Sequence, residues 1–339
     1  MATEPRAPDL HGQPPEVSVV IVNLDGAHLL DACLDALLAQ HVRGGFEVTL
    51  VDNGSHDGSV AHVRRRHPGV QVVEAGRNLG FAAGNNLGFR HCRGRFIVTL
   101  NNDTRVRPGC LQAMVDAADE ERAAGAVTAK LVFASAPGKI QNAGSLLLSD
   151  GSGADRGAGE PDDGRYDRSE EVFGFCGAGA LLRREMLDDV GWFDPAFFMY
   201  YEDTDLSWRM RLRGWRVLYE PRAVIEHEHA ASSREWSPLF AFHVDRNRLF
   251  TILKNARLRL LVRAYWRLLR RVVSPVSNSE RPGMASRPPP AAGRVLLSFL
   301  GHLPAMLVRR GRIRLRRCVP DQELERWLYP RAEWDARSR

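Results

Sequence analysis

The stretch Val17-Ser-Val-Val-Ile-Val22 is apolar at five of six positions, and those five are β-branched. A strand with one wet face alternates apolar and polar residues. A near-continuous run needs both faces covered, as in the interior of a parallel sheet flanked by helices. The residues that follow have the matching rhythm. Asn23-Leu-Asp-Gly26 breaks the strand, and Ala27 to Gln40 sets Leu29, Leu30, Cys33, Leu34, Leu37 and Leu38 at helical spacing. Phe46 to Val51 is a second strand, ending in Asp52-Asn-Gly-Ser55, and Ser59 to Arg66 reads as a helix. Val70 to Glu74 is a third strand, followed by a helical stretch to Cys92 and a fourth strand, Phe96 to Leu100. Alternation of this kind predicts a doubly wound α/β sheet with right-handed crossovers.

Ligands of such sheets bind beyond the carboxyl ends of the strands. Two of those ends carry carboxylates, Asp52 and Asp103. The first turn, Asn23-Leu-Asp-Gly26, is not G-x-G-x-x-G, so a dinucleotide-binding enzyme is excluded. A single carboxylate beside Asn101 and Asn102 can hold a hard divalent cation that bridges two phosphates. An Asx-turn closing the strand would use the same residues.

Further along, Gly125 to Phe133, Ile140 to Leu148, Trp215 to Tyr219 and Ala223 to Glu226 read as strands. Asp150 to Arg168 is rich in Gly, Asp and Arg and predicts a mobile surface loop, either a lid or an inert insertion. Gly177-Ala-Gly179 suggests a tight backbone approach. The aromatic run Trp192 to Tyr201 leads directly into Glu202, Asp203 and Asp205 at the start of a helix, Asp203 to Arg213. Carboxylates there also serve as caps and dipole partners. His227-Glu-His229, two imidazoles around a carboxylate at a strand end, is a candidate metal-ligand pair.

Charge is unevenly placed. Lys254 to Arg317 holds sixteen Lys/Arg and one acidic residue, a local +15 in a chain of net +6, which leaves −9 for the rest. A basic tail on an acidic body suggests a polyanionic neighbour, a membrane surface or nucleic acid. The tail lacks base-stacking motifs interleaved with its arginines, which argues against nucleic acid. Leu239 to Asn255 predicts an amphipathic helix, and Arg257 to Val273 interleaves apolar residues with six arginines. Ser274 to Pro290 reads as a linker, and the apolar run Val295 to Val308 is short for a membrane span. The five cysteines form no C-x-x-C pair, which fits a reducing cytosol. Residues 1–15 are polar and proline-rich, with no apolar core of a secretory signal.

Six segments, in this order and spacing, resemble the inverting GT-A glycosyltransferase family 2, in its rhamnosyltransferase-like branch of bacterial cell-surface polysaccharide synthesis. They are Val17 to Asn23, Val51-Asp-Asn-Gly-Ser55, Arg77-Asn-Leu-Gly-Phe-Ala-Ala-Gly-Asn-Asn86, Leu100-Asn-Asn-Asp-Thr104, Phe198-Met-Tyr-Tyr-Glu-Asp-Thr-Asp-Leu206 and Val224 to Ser232. The resemblance implies an α/β GT-A fold, a Rossmann-like mixed sheet flanked by helices, over residues 16–256. A disordered tail (1–15) precedes it and a basic helical extension (257–339) follows. It implies Asn23, Asp25, Asp52 and Asn78 around the donor nucleoside, and Asn101, Asn102 and Asp103 at the diphosphate. Asp103 and His227, or His229 in its place, would hold Mg²⁺ or Mn²⁺. Asp203 would be the catalytic base, with Glu202 as the alternative. Asn101 stands where the family's motif has its first Asp, and Ala230 where it has Gly. The expected donor is dTDP-rhamnose or a UDP-sugar, and the acceptor a lipid-linked saccharide or polysaccharide. The enzyme is expected in the cytoplasm, peripheral on an anionic membrane face. The alternative is a non-catalytic sugar-nucleotide-binding or scaffolding protein.

Overall fold

The computed structural model describes residues 13–228, 237–273 and 292–337. His229, most of the N-terminal tail and the Ser274 to Pro290 linker lie outside those residues.

Strands β1 (Val17–Asn23), β2 (Phe46–Asp52), β3 (Gln71–Glu74) and β4 (Phe96–Asn101) are parallel in the order β3-β2-β1-β4, connected through helices α1 (Ala27–Leu38), α2 (Ser59–Arg66) and α3 (Gly80–Phe89). Val17, Val19, Val20 and Ile21 are fully buried, as the unbroken apolar run requires. Each such side chain contributes about 1.5–3 kcal/mol of transfer free energy. Register fixes what the strands deliver. Asn23 lies opposite Asp52, and Val22 opposite Asn101, so three strands end at one level.

Beyond β4 the sheet is mixed rather than doubly wound throughout. After β5 (Thr104–Val106) and α4 (Cys110–Glu120) come β6 (Ala124–Phe133), β7 (Ile140–Asn142), β8 (Ser145–Leu148), β9 (Gly153–Asp155), β10 (Glu170–Glu171) and β11 (Gly179–Arg183). Strand β11 inserts antiparallel between β4 and β6, and β12 (Arg216–His227) lies parallel to β6. A side chain at Gly179 would place its Cβ 2.5 Å from Ile225 Cδ1, so the tight approach is real. The two strands expected around residues 215–226 are one. A register shift between Glu220 and Val224 carries the chain past Pro221, which has no N–H for the ladder.

Asp150 to Arg168 is not a loose loop. β9 pairs with β8, Tyr166 is 8% exposed, and the buried Lys130 ammonium bonds Asp162 at 2.8 Å and also holds Asp167. Two of the segment's acidic residues, Asp162 and Asp167, are anchored by a lysine more than thirty positions earlier, which no local pattern reveals.

Helices α5 (Arg184–Val190), α6 (Glu202–Leu212), α7 (Pro238–Asn255), α8 (Leu258–Val273) and α9 (Ala292–Arg316) pack around the sheet, and two short helices (Asp321–Glu325, Arg331–Arg337) and a short strand (Leu328–Tyr329) follow. Helix α7 is not amphipathic in the expected sense: Asn247, Thr251, Lys254 and Asn255 are buried with its apolar residues. A core formed by Phe173, Phe197, Trp208 and Phe250 extends to Val295, Phe299 and Met306 of α9. The guanidiniums of Arg310 and Arg314 donate to carbonyls of residues 253–256, closing the C-terminal end of α7. The extension therefore shares a core with the sheet domain. Among the described residues no helix is long and apolar enough to cross a membrane.

Candidate functional site

The ends of β1, β2 and β4 form a polar rim. Asp52 is 4% exposed and accepts the backbone N–H groups of Gly54 (3.3 Å) and Ser55 (3.2 Å). Asn23, wholly buried, donates to Ser59 Oγ (3.1 Å) and accepts from Asn102 Nδ2 (2.8 Å). Asp25 is exposed, has φ +49°, and accepts His56 N–H at 2.7 Å. Asn78 is also exposed; its Oδ1 accepts from Asn53 Nδ2 (3.0 Å) and Gly80 N–H (2.9 Å). The turns after β1, β2 and β3 are thus tied together by side-chain amides and hydroxyls, with Asn23 linking the β2 turn to Asn102.

Asp103 and His227 come from segments 124 positions apart and meet at 3.0 Å, Oδ1 to Nε2, both buried. The β5–β12 pairing, with His227 opposite Thr104, causes the meeting. Gln141 Oε1 lies 2.9 Å from His227 Nδ1 and accepts its N–H, the tautomer that turns the Nε2 lone pair toward Asp103. Asn101 Nδ2 lies 3.4 Å from the same Nε2 nitrogen. A nitrogen lone pair facing a carboxylate oxygen at this distance fits a divalent cation: two adjacent ligands of one octahedral ion, each roughly 2.1 Å from it, lie about 3 Å apart. One oxygen and one imidazole nitrogen suit Mn²⁺ at least as well as Mg²⁺. Among the described residues no cluster of three or more His, Cys, Asp or Glu could supply a fuller protein cage. An ion here would complete its shell from a bound ligand and water.

Asp203 reaches the same rim from α6. Its Oδ2 accepts Gly177 N–H (3.2 Å), while Asn101 N–H donates to the neighbouring Ala178 carbonyl (3.1 Å). Burial pushes the Asp203 carboxyl above its usual range, against the hydrogen bonds from Gly177 and Thr204. Glu202 is pushed further up, by burial first and then by the charges of Asp203 and Asp205; its Oε2 has no hydrogen-bond partner among the described residues. Asp205 behaves in the opposite way. Burial alone would raise it, but Lys254 (2.7 Å) and Arg209 (2.9 Å) outweigh burial and hold it below the ordinary range. Asp205 therefore ties helices together, whereas burial raises the proton affinity of Glu202 and Asp203.

The chain enters α6 under strain. Phe198, Tyr200 and Tyr201 all have left-handed φ, +66°, +68° and +71°. Each costs roughly 1–3 kcal/mol for a bulky residue. Asn247 Nδ2 donates to the carbonyls of Phe197 (2.9 Å), Met199 (2.8 Å) and Tyr200 (2.7 Å), and Arg246 holds those of Ala196 and Phe197. Gly80, φ +79°, is required beneath: a Cβ there would lie 2.5 Å from the Phe198 carbonyl oxygen.

Nothing in the local sequence marks Gln141 or Asn247, since their partners are 86 and about 50 positions away. Asn53 could have been noticed, because it shares the turn of Asp52. A cavity of about 300 Å³ lies elsewhere, between α6 and α9, lined by Trp192, Asp194, Arg209, Lys254 and Arg312 among others. Asp52, Asp103, Asp203 and His227 do not line it.

Residues 18–191 match Glycosyl transferase family 2, a span that ends before Asp203 and His227. The N-acetylglucosaminyl-diphospho-decaprenol L-rhamnosyltransferase of Mycobacterium tuberculosis is 30% identical over 207 residues, 55% of this chain and 67% of its own. The O-antigen biosynthesis protein RfbC of Myxococcus xanthus is 28% identical over 234 residues, 65% of this chain and 18% of its own. In structure, the mannosyltransferase PcManGT of Pyrobaculum calidifontis, solved with GDP-Man and Mn²⁺, superposes with TM-score 0.53 at 18% identity, covering 89% of this chain and 86% of its own. GalNAc-T7, solved with UDP, GalNAc and Mn²⁺, gives TM-score 0.56 at 14% identity over 72% and 48%. The fold is thus that of the GT-A enzymes, and the chain belongs to glycosyl transferase family 2, the nucleotide-sugar glycosyltransferases.

Proposed function

We propose that the enzyme moves a sugar from a nucleotide-diphospho-sugar to an acceptor hydroxyl with inversion, and that Asp203 is its base. The observation that carries this reading is the juxtaposition at residues 177–178. One peptide segment holds Asp203 through the Gly177 N–H and Asn101 through the Ala178 carbonyl. The base and the diphosphate end of β4 are thereby hung from adjacent backbone groups. Asp203 accepts the acceptor hydroxyl's proton as that oxygen attacks the anomeric carbon. Burial raises the carboxyl's proton affinity toward a working base. Asp52, Asn23, Asp25 and Asn78 line the nucleoside end, and Asn101 and Asn102 the diphosphate. Asp103 and His227 would hold Mg²⁺ or Mn²⁺, which when bound would supply charge neutralisation on the leaving diphosphate.

The name of the mycobacterial relative, an N-acetylglucosaminyl-diphospho-decaprenol L-rhamnosyltransferase, supports a lipid-linked saccharide as acceptor, and dTDP-rhamnose or a UDP-sugar is the donor we propose. A panel of nucleotide-sugars with Mn²⁺, scored by thermal stabilisation and by hydrolysis, tests donor and metal together. Asp203→Asn should retain donor-induced stabilisation and lose turnover by about 10²–10⁴-fold, the contribution of a positioned base. Undiminished turnover in that variant overturns the assignment.

A further inference from the structure

Helix α9 has two apolar faces. Val295, Phe299 and Met306 are buried in the core shared with α7. Leu297, Leu300, Leu307, Val308 and Leu315 are instead 72%, 45%, 49%, 56% and 88% exposed. At 3.6 residues per turn these five fall in one stripe roughly 100° wide, on the side away from the buried residues. Arg294, Arg309, Arg312 and Arg316 run along one flank of the stripe, and Arg310 and Arg314 along the other. The helix has no Asp or Glu. Helix α8 repeats the pattern on a smaller scale. Leu258, Val262 and Trp266, four residues apart, are 65%, 46% and 60% exposed, beside the exposed Arg259 and Arg263. Among the described residues, Leu24, Leu38 and Leu239 are the other exposed large apolar side chains. The apolar surface is therefore concentrated on these two helices, which soluble monomers rarely allow without a partner.

We propose that α8 and α9 dock the enzyme in the plane of an anionic lipid surface, with the leucine stripe and Trp266 entering the headgroup boundary and the arginines meeting lipid phosphates. Charge selects this occupant. A second copy laid stripe to stripe would set arginine rows against arginine rows with no carboxylate on α9 to pair them. Lipid phosphates at the rim of an acyl layer complement both parts of the surface at once. Four of the six flanking arginines are engaged within the protein: Arg309 pairs with Asp194, Arg316 with Asp189, and Arg310 and Arg314 with carbonyls at the C-terminal end of α7; the exposed Arg294 and Arg312 are the ones placed to meet lipid phosphates. These contacts orient the helix so that its leucines face outward. Docking requires neither Asp203 nor the Asp103–His227 pair, so it stands or falls apart from the sugar-transfer reading.

The test is flotation of the full chain with vesicles of phosphatidylcholine alone or with added phosphatidylglycerol. The wild type should float with the anionic vesicles and be released by high salt. Leu300→Glu with Leu307→Glu should lower binding at least about tenfold, and Arg312→Glu should lower it less. Both changes are at exposed positions, and an unchanged melting curve verifies the fold. Absence of wild-type flotation, or equal flotation of the double variant, overturns the proposal. Self-association in light scattering that the double variant abolishes, without flotation of the wild type, also overturns it and assigns the stripe to a second copy.

Discussion

Lys254 is the residue whose removal the structure penalises most clearly. Its ammonium is 2% exposed and bonds Asp194 Oδ2 at 2.8 Å and Asp205 Oδ2 at 2.7 Å. Lys254→Met keeps the length and apolar stem of the side chain but leaves two buried carboxylates short of a cation. Removing one partner of a buried pair costs about 3–5 kcal/mol. Asp205 retains Arg209 (2.9 Å) and Asn255 (2.8 Å), and Asp194 retains Arg309 (3.1 Å), which places the expected loss near the lower bound. About 3 kcal/mol is roughly a hundredfold in the unfolding constant. With about 2 cal/mol/K per residue of unfolding entropy, it corresponds to a fall of about 4 °C in Tm. The pH dependence identifies the cause. Asp205 has a depressed folded pKa, so its stabilisation is present above the unfolded carboxylate range and is lost as pH falls through the folded value. Without Lys254 that folded pKa rises. The variant's deficit should then be largest at pH 7 and narrow toward pH 4, where Asp205 is increasingly protonated. Urea titrations followed by circular dichroism and tryptophan fluorescence at both pH values measure it. A deficit below about 1 kcal/mol at pH 7, typical of an exposed pair, or one that grows toward acid, refutes the reasoning.

Gln141→Leu removes the acceptor that fixes the His227 tautomer, and Mn²⁺ affinity measured by thermal shift should fall about 10–100-fold, the usual cost of losing a ligand's orienting partner. Glu202→Gln should stabilise the protein at pH 8 more than at pH 4: a carboxyl with a raised folded pKa loses stability as pH rises from the unfolded value, and the amide has no charge to form. Equal melting temperatures for variant and wild type at pH 8 would contradict that burial effect. Native thiol titration should label Cys318 rapidly and the rest only on unfolding. Cys318 is exposed, whereas burial pushes Cys33, Cys92 and Cys110 up to about 12 and raises Cys176 as well.

Strand β1 and the helix after it were legible because burial on both faces and helical spacing are local properties of residues 17–40. The level at which Asn23, Asp52 and Asn101 end follows from parallel register, so the rim could be anticipated from motif order. The antiparallel insertion of β11 could not, because it depends on Gly179 letting Ile225 close over it. The order of the Asp150 to Arg168 segment was hidden for a related reason: Asp162 and Asp167 look solvated until Lys130 is folded against them.

What the sequence alone determined is the supply of chemistry: which strand ends carry carboxylates and amides, and that arginines and leucines alternate in the tail. Only the tertiary structure decided what each of those groups does. Asp203 and Asp205 lie two residues apart on one helix, yet burial raises the proton affinity of the first against the Gly177 hydrogen bond, while Lys254 and Arg209 outweigh burial at the second and lower it. Local sequence cannot separate them, because a buried carboxylate's charge state is set by the partners that distant segments bring to it.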